Sequence, residues 1–474
     1  MEFADENLKS WQTVDPVALF DAPVRKHIPD SKRNLKELLQ TEARLSTDLV
    51  LWLDCDREGE NIAFEVVDCC RAIAPRLQVH RARFSAVTPR DIDRAMRNLG
   101  PPDSRLSWAV DARQEIDLRL GAVFTRFQTM FIRRHCPAID QKVVSFGPCQ
   151  FPTLGFVVER SWAVESFLPE EFWTIDLSIT RDSKIAEFTW SRGRIFDRMI
   201  CTVLAQIVRD AQVATVTGVV RKEKRKYCPY PLATIELQKR AVRFLRLSSD
   251  KTMDIAEKLY MKGLISYPRT ETDSFSKDFD FMDLIRKQRG DRSWGEHAER
   301  LSGDQETFVF PKNGHHDDKA HPPIHPTNYS AQFDSREHQQ VYELVVRHFL
   351  ACCSGDAIAD ETIVTIDMGG ETFTNSGVCS FCLSWLIFHP HFCSGLVIRQ
   401  YNYLEVYRYE SWNDRTPPVF DEGEQHTPSL LRMRSGMTHA PSHLNEADLL
   451  ALMDDNGIGT DATMHEHIKK IGAG

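Results

Sequence analysis

The run Leu49-Val50-Leu51-Trp52-Leu53 is followed without a spacer by Asp54-Cys55-Asp56-Arg57-Glu58-Gly59-Glu60. A short, continuous apolar run reads as a buried strand. Helical periodicity precedes it (Leu35, Leu38, Leu39) and resumes from Glu60 onward. The sequence therefore specifies an α/β unit whose acidic loop lies at the carboxyl end of a buried strand, where such folds bind ligands. Carboxylates at i, i+2 and i+4 can converge there on Mg2+, a hard cation that accepts one or two carboxylates plus water and phosphate. The same text also fits a solvated acidic turn.

A chain of 474 residues exceeds a single core, and about three domains are expected at roughly 150 residues each. With 42% hydrophobic and 27% charged residues, collagen-like, mucin-like and wholly disordered classes are excluded. The net charge of −9 argues against a generic nucleic-acid coat and leaves local basic stripes as the route to nucleic acid. Two such stripes stand out. Arg221 to Arg240 carries seven basic against two acidic residues, and Arg81 to Arg97 carries five against two. The 12 cysteines follow no disulfide framework, which points to a reducing compartment, cytosol or nucleus. The most apolar uninterrupted stretch, Val378 to Phe388, is too short to span a bilayer.

Further along, the text is helical from Asp91 to about Arg134 and strand-like from Phe172 to Val220. It is helical again after Pro231, stopping at Gly263 as a C-cap. Phe310 to Pro326 reads as a loop, and strand text resumes at Ile363 to Ile366 and Val397 to Tyr409. β-rich text on both sides of a helical region describes a β domain whose chain leaves to build another domain and then returns.

Three more motifs carry chemistry. In Ser266-Tyr267-Pro268-Arg269-Thr270, Pro268 biases Tyr267 toward an extended conformation that presents the phenol, and Arg269 can stabilise charge on a phosphate that the phenol attacks. A phenol with its free pKa of about 10 needs nearby cations or a metal for this; a buried tyrosine beside a structural arginine is the plainer alternative. Lys319-Ala320-His321-Pro322-Pro323-Ile324-His325-Pro326 offers a histidine that can donate to phosphate, or is a stiff Pro-rich loop. Asn456-Gly457-Ile458-Gly459-Thr460-Asp461-Ala462-Thr463 follows a helix from Glu446 to Met453, and its glycines bring backbone amides close to an anion.

In this order, the motifs resemble the type IA DNA topoisomerases, close to their eukaryotic topoisomerase III alpha branch. The resemblance also covers Arg81-Ala82-Arg83-Phe84-Ser85, Val110-Asp111-Ala112-Arg113-Gln114-Glu115-Ile116-Asp117-Leu118-Arg119 and Gly147-Pro148-Cys149-Gln150-Phe151-Pro152-Thr153-Leu154-Gly155-Phe156. It implies α/β plus α and β subdomains in a toroidal four-domain fold with an incomplete N-terminal TOPRIM domain. The implied segments are 1–90 for the partial TOPRIM domain, 91–170 and 436–474 for a helical gate and DNA-binding domain, 171–236 and 346–435 for a β-rich arch, and 237–345 for a helical domain carrying the active-site tyrosine. It also implies ATP-independent cleavage of single-stranded DNA through a 5′-phosphotyrosine on Tyr267, strand passage and religation. Arg269 resembles the phosphate-holding arginine. Asp54, Asp56 and Glu58 match the acidic triplet that uses Mg2+, Glu58 being counted with the catalytic residues as well. Arg113 and Asp117, four apart on one helix face, with Gln150, His321 and Thr463, fall on DNA-contacting positions. Implied partners are a RecQ-type helicase and a small OB-fold protein acting in recombination and repair, with the nucleus, and the mitochondrion second, as the compartment.

Three departures qualify the resemblance. The family opens with a strand and an A-E-K-P-S loop whose Glu and Lys take part in catalysis, so this sequence is expected to lack a central strand and those two side chains. The family text also ends at about Ile471, without the C-terminal DNA-binding tail and zinc modules. A non-catalytic fragment that binds single-stranded DNA or a partner is therefore the alternative. Finally, Ser376-Gly377 recurs as Ser394-Gly395, and removing the 18 residues Val378 to Gly395 restores family text, so this stretch is read as a short translated intron. A zinc site of Cys379, Cys382, His389, His391 and Cys393 is the competing reading.

Overall fold

The computed structural model describes the chain apart from residues 6–7, 9, 12–13, 137–142, 304–306, 376–395, 413–417, 461–462 and 473–474. The stretch 378–395, with its intron and zinc readings, lies outside the described residues. Near the N-terminus, helix α1 (Arg33–Leu45), strand β1 (Asp48–Leu51), helix α2 (Arg57–Arg71) and strand β2 (Gln78–Arg81) form an α/β unit in which β1 runs parallel to β2. The strand ends at Leu51 and the helix begins at Arg57, three residues before Glu60, because Asp56 caps it. The Asp56 carboxylate accepts the Gly59 amide at 2.7 Å.

Helical text from Asp91 is divided into α3 (Pro89–Arg97) and α4 (Ser104–His135), since Pro101 and Pro102 have no amide hydrogen to continue a ladder. Helix α5 (Gln150–Glu165) follows. The strand-like region then yields β3 (Glu171–Arg181), β4 (Lys184–Trp190), helix α6 (Arg198–Ala211) and β5 (Ala214–Lys226). Helix α6 corrects the reading of this region as continuous strand text. Asp197 caps it, and Cys201, Ala205 and Val208 recur at helical spacing against Ile175, Leu177 and Trp190. Beyond lie α7 (Thr234–Arg240), α8 (Ser249–Met261), α9 (Arg336–Cys352), β6 (Ala357–Met368), β7 (Glu371–Asn375), β8 (Leu396–Gln400), β9 (Leu430–Met437), α10 (Glu446–Asp455) and α11 (Met464–Gly472). Past β8, the expected strand to Tyr409 is instead a short helix, Tyr403–Val406.

An eight-stranded antiparallel sheet runs in the order Gln425–His426, β5, β6, β7, β4, β3, β9, with β8 also paired to β6. Its strands come from both sides of the helical region, because the chain departs after β5 and returns at β6. The helical core gathers Leu237, Leu259, Tyr260, Tyr267, Tyr342, Val345 and Phe349, and also Tyr403 and Tyr407. Helix α9 thus crosses the 345/346 boundary drawn from sequence, since Val341 to Leu350 bury one continuous face in this core. A smaller core joins Leu449, Leu450, Met453 and Met464 to Phe156 of α5 and Ile235 of α7.

Strands β7 and β8 share one register on β6. Asn375 stands opposite Val364, and Leu396 opposite Glu361. Three steps along β6 are thus matched by 21 residues in the partner, an excess of 18. Deleting Val378–Gly395 is expected to join β7 to β8 without a slip and to leave the melting temperature unchanged or higher, because shortening a connection lowers its closure entropy. Loss of β-sheet circular dichroism, or a melting point several degrees lower, would show that the segment is integral.

Candidate active site

Arg81 organises the acidic loop. Its guanidinium is fully buried and bonds Glu60 Oε2 at 2.9 Å, the carbonyls of Leu53 and Ala82 at 2.7 and 2.9 Å, and that of Asp54 at 2.6 Å. Glu60 in turn accepts the Asp103 amide at 2.5 Å. Gly59 is equally constrained, since a Cβ there would lie 2.1 Å from the Asp54 carbonyl oxygen. These contacts fix the backbone from which Asp54 and Asp56 project.

Against this loop sits the tyrosine turn. Gly263 adopts φ +68°, a left-handed conformation suited to glycine, and a Cβ on it would meet the Val87 carbonyl at 2.7 Å. The Tyr267 amide donates to the Ser85 carbonyl at 2.9 Å, and the Tyr267 hydroxyl donates to Asp56 Oδ2 at 2.5 Å. Tyr267 is 4% exposed, with the His321 ring 4.5 Å away and the Tyr260 ring edge-on at 5.2 Å. His321 Nδ1 faces Ser85 Oγ at 2.9 Å. Burial, then the Asp56 carboxylate, hold the Tyr267 phenol far above its ordinary pKa, with Arg269 pulling the other way. Arg269 itself donates through Nε to Glu257 at 3.0 Å.

The acidic triplet does not close into a cage. Asp54 accepts the Tyr260 hydroxyl at 3.1 Å, whereas Glu58 pairs with Arg113 at 2.7 Å. Among the described residues, no group of three or more His, Cys, Asp or Glu is placed to hold a metal ion together. Burial pushes the Asp54 carboxyl up, the Tyr260 hydrogen bond opposes this, and Asp56 pushes it up further. Asp54 and Asp56 lie near enough for the charge of Asp56 to act on Asp54, and two such carboxylates fit a hard cation that takes its other ligands from water and phosphate.

The remaining predicted residues lie on α4, at the start of α5 and just before α11. Gln150 begins α5, and its side chain lies against Gly147. The backbone of Gly459 hydrogen-bonds Cys149, whose thiol burial pushes up and which feels both Asp117 and Arg113. Thr463 Oγ accepts the Thr460 amide at 3.0 Å, just before α11. Asp54, Asp56, Arg269, Tyr267 and His321 therefore form one group, joined through Glu58 to Arg113. Gln150 and Thr463 are not among them. Sequence alone gives no role to Arg81, Glu257 or Tyr260, although Arg81 stands in the Arg81-Ala82-Arg83-Phe84-Ser85 motif.

In the Arg221 to Arg240 stripe, six of the seven cations are engaged by four carboxylates. Lys222 and Lys224 pair with Glu361, Arg225 with Glu223, Lys226 with Glu410, and Lys239 and Arg240 with Glu236. The β5 stripe is thus not the free cationic track that composition suggested. No helix among the described residues is long and apolar enough to cross a membrane.

Residues 101–473 match the protein family described as DNA topoisomerase, and residues 10–87 match the Toprim domain. The chain belongs to the DNA topoisomerase family. It is similar to DNA topoisomerase 3-alpha of Arabidopsis thaliana, at 51% identity over 99% of this chain and 50% of that protein. DNA topoisomerase 3-alpha of Homo sapiens is 46% identical over 98% of this chain and 44% of that one. This topoisomerase chain spans about half the length of the curated relatives it matches. Full-length topoisomerase I from Thermotoga maritima superposes with a TM-score of 0.72 over 95% of this chain and 70% of that chain, at 22% identity, which shows the shared type IA fold. The relatives place the topoisomerase on the III alpha-like branch.

Proposed function

We propose that this chain carries the cleavage and resealing centre of an ATP-independent type IA DNA topoisomerase. One observation carries the reading: the Tyr267 phenol is seated on Asp56, with His321 against its ring and Arg269 within electrostatic reach. The Tyr267 oxygen attacks a phosphodiester of single-stranded DNA, its proton passes to Asp56, the P–O3′ bond breaks, and the 3′ oxygen leaves and takes up a proton. The ester retains the energy of the broken bond, so the reverse attack reseals the strand after passage without ATP. Arg269 steadies the phosphate charge, and His321 orients the ring and donates to phosphate.

Asp54 and Asp56, with Glu58 behind them, are the residues that would hold Mg2+. When bound there, Mg2+ supplies charge neutralisation at the phosphate during ordered resealing. Arg113, Asp117, Gln150 and Thr463 guide the DNA strand. The assembled nucleophile and acids support this reading over a purely DNA-binding chain. By family likeness, the partners are a RecQ-type helicase and an OB-fold protein, at recombination and repair intermediates in the nucleus or mitochondrion.

The test is a single-stranded oligonucleotide incubated with the full chain and Mg2+, then denatured. A 3′-end label should travel with the protein, because the enzyme keeps the 5′ phosphate, while a 5′-end label is released. If the chain binds the oligonucleotide and neither label becomes covalently attached, the catalytic reading is wrong.

A further inference from the structure

The proposed chemistry leaves Tyr260 unused. It lies on α8, one residue before the helix ends at Met261, and is 4% exposed. A core position there needs only a ring, yet this ring carries a hydroxyl, and a buried hydroxyl requires a partner. Its partner is Asp54 Oδ1 at 3.1 Å, on a loop 206 residues away in sequence. The ring stands edge-on to Tyr267 with centroids 5.2 Å apart and planes at 71°. Glu257, three residues earlier on α8, braces Arg269 through its Nε at 3.0 Å. Residues three apart share a helix face, so one face of α8 supports both the phosphate-facing arginine and an acid of the opposing loop.

We propose that Tyr260 is a positioning residue of the cleavage centre: its hydroxyl fixes the Asp54 carboxylate toward the metal while its ring edge fixes the plane of the nucleophilic Tyr267. The inference rests on the reading that Asp54 and Asp56 hold Mg2+. A partner hydrogen-bonded behind a metal-binding carboxylate sets its orientation, and losing such a partner costs about 10- to 100-fold in metal affinity or activity. The ring contact, by contrast, survives in phenylalanine. The two roles are therefore separable by one atom.

The experiment is Tyr260→Phe in the full chain, with Mn2+ binding followed by electron paramagnetic resonance in the absence of DNA. Mn2+ serves as the probe because it shares the preference of Mg2+ for carboxylate and water ligands. Binding should weaken about tenfold, approaching the loss seen for Asp54→Asn. Resealing by Tyr260→Phe should need more Mg2+ than in the wild type. Tyr260→Leu, which also removes the ring, should lower the adduct yield as well. A Tyr260→Phe chain that melts like wild type and binds Mn2+ with unchanged affinity would overturn the proposal. If instead wild type forms no adduct while the Mn2+ pattern holds, the cleavage reading fails and only the hold of the Tyr260 hydroxyl on Asp54 stands.

Discussion

Tyr267→Phe is expected to abolish the covalent DNA adduct while leaving the fold in place. The substitution removes one oxygen and keeps the ring, which is packed between His321 and Tyr260. The neighbouring Tyr260 hydroxyl does not replace it, being committed to Asp54 from the helix behind the turn. The structural cost is one hydrogen bond to a carboxylate, about 1.5–3 kcal/mol, and Asp56 keeps its capping bond to Gly59. The measurement pairs the labelled-oligonucleotide assay with a thermal melt. Residual adduct in Tyr267→Phe would move the nucleophile elsewhere. A collapsed melt would show that the phenol is structural, the plainer reading that its burial allows.

Arg81→Met should have the largest effect on stability. The guanidinium is fully buried, it faces a nearly buried Glu60 at 2.9 Å, and it bonds the carbonyls of Leu53, Asp54 and Ala82. Methionine fills much of the volume but leaves Glu60 as an uncompensated charge, which costs about 3–5 kcal/mol. Adding Glu60→Leu removes that charge and should recover part of the loss, because an apolar pair tolerates burial where a lone carboxylate does not. Urea unfolding of the wild type and the two variants decides the matter. An Arg81→Met cost below about 1 kcal/mol, or a double variant weaker than the single, would mean that the pair contributes little. Metal binding should fall along with stability, since the backbone presenting Asp54 is what Arg81 holds.

What sequence made legible here was local. The apolar run and the acids after it, the Gly263 stop, the Tyr267 turn and the helix from Glu446 are each encoded within a dozen residues, and each is present in the fold. What it concealed was set by distant partners. Arg81 is an ordinary arginine in a motif until Leu53, Asp54 and Glu60 close around it. The β5 stripe is basic in sequence, yet most of its cations are paired in the fold, because Glu361 and Glu410 arrive from residues more than a hundred positions away. Helix α6 was hidden because its valines and isoleucines read as strand text, and only the capping Asp197 marked it. The spacing of the three acids is plain in the sequence, but spacing alone does not show that Glu58 turns to Arg113.

The bond between the Tyr267 hydroxyl and Asp56 joins two segments that are 211 residues apart in sequence. That bond exists only while the phenol owns a hydrogen. Once its oxygen becomes a phosphate ester, there is no donor left, and the carboxylate and the ester both carry negative charge. In the proposed chemistry, forming the covalent bond to DNA therefore unfastens one of the two hydroxyl clasps on the acidic loop, leaving that of Tyr260, from helix α8, on Asp54 as the other. Resealing restores the hydrogen and the clasp together, so the protein is tied most firmly when no broken strand is in its keeping.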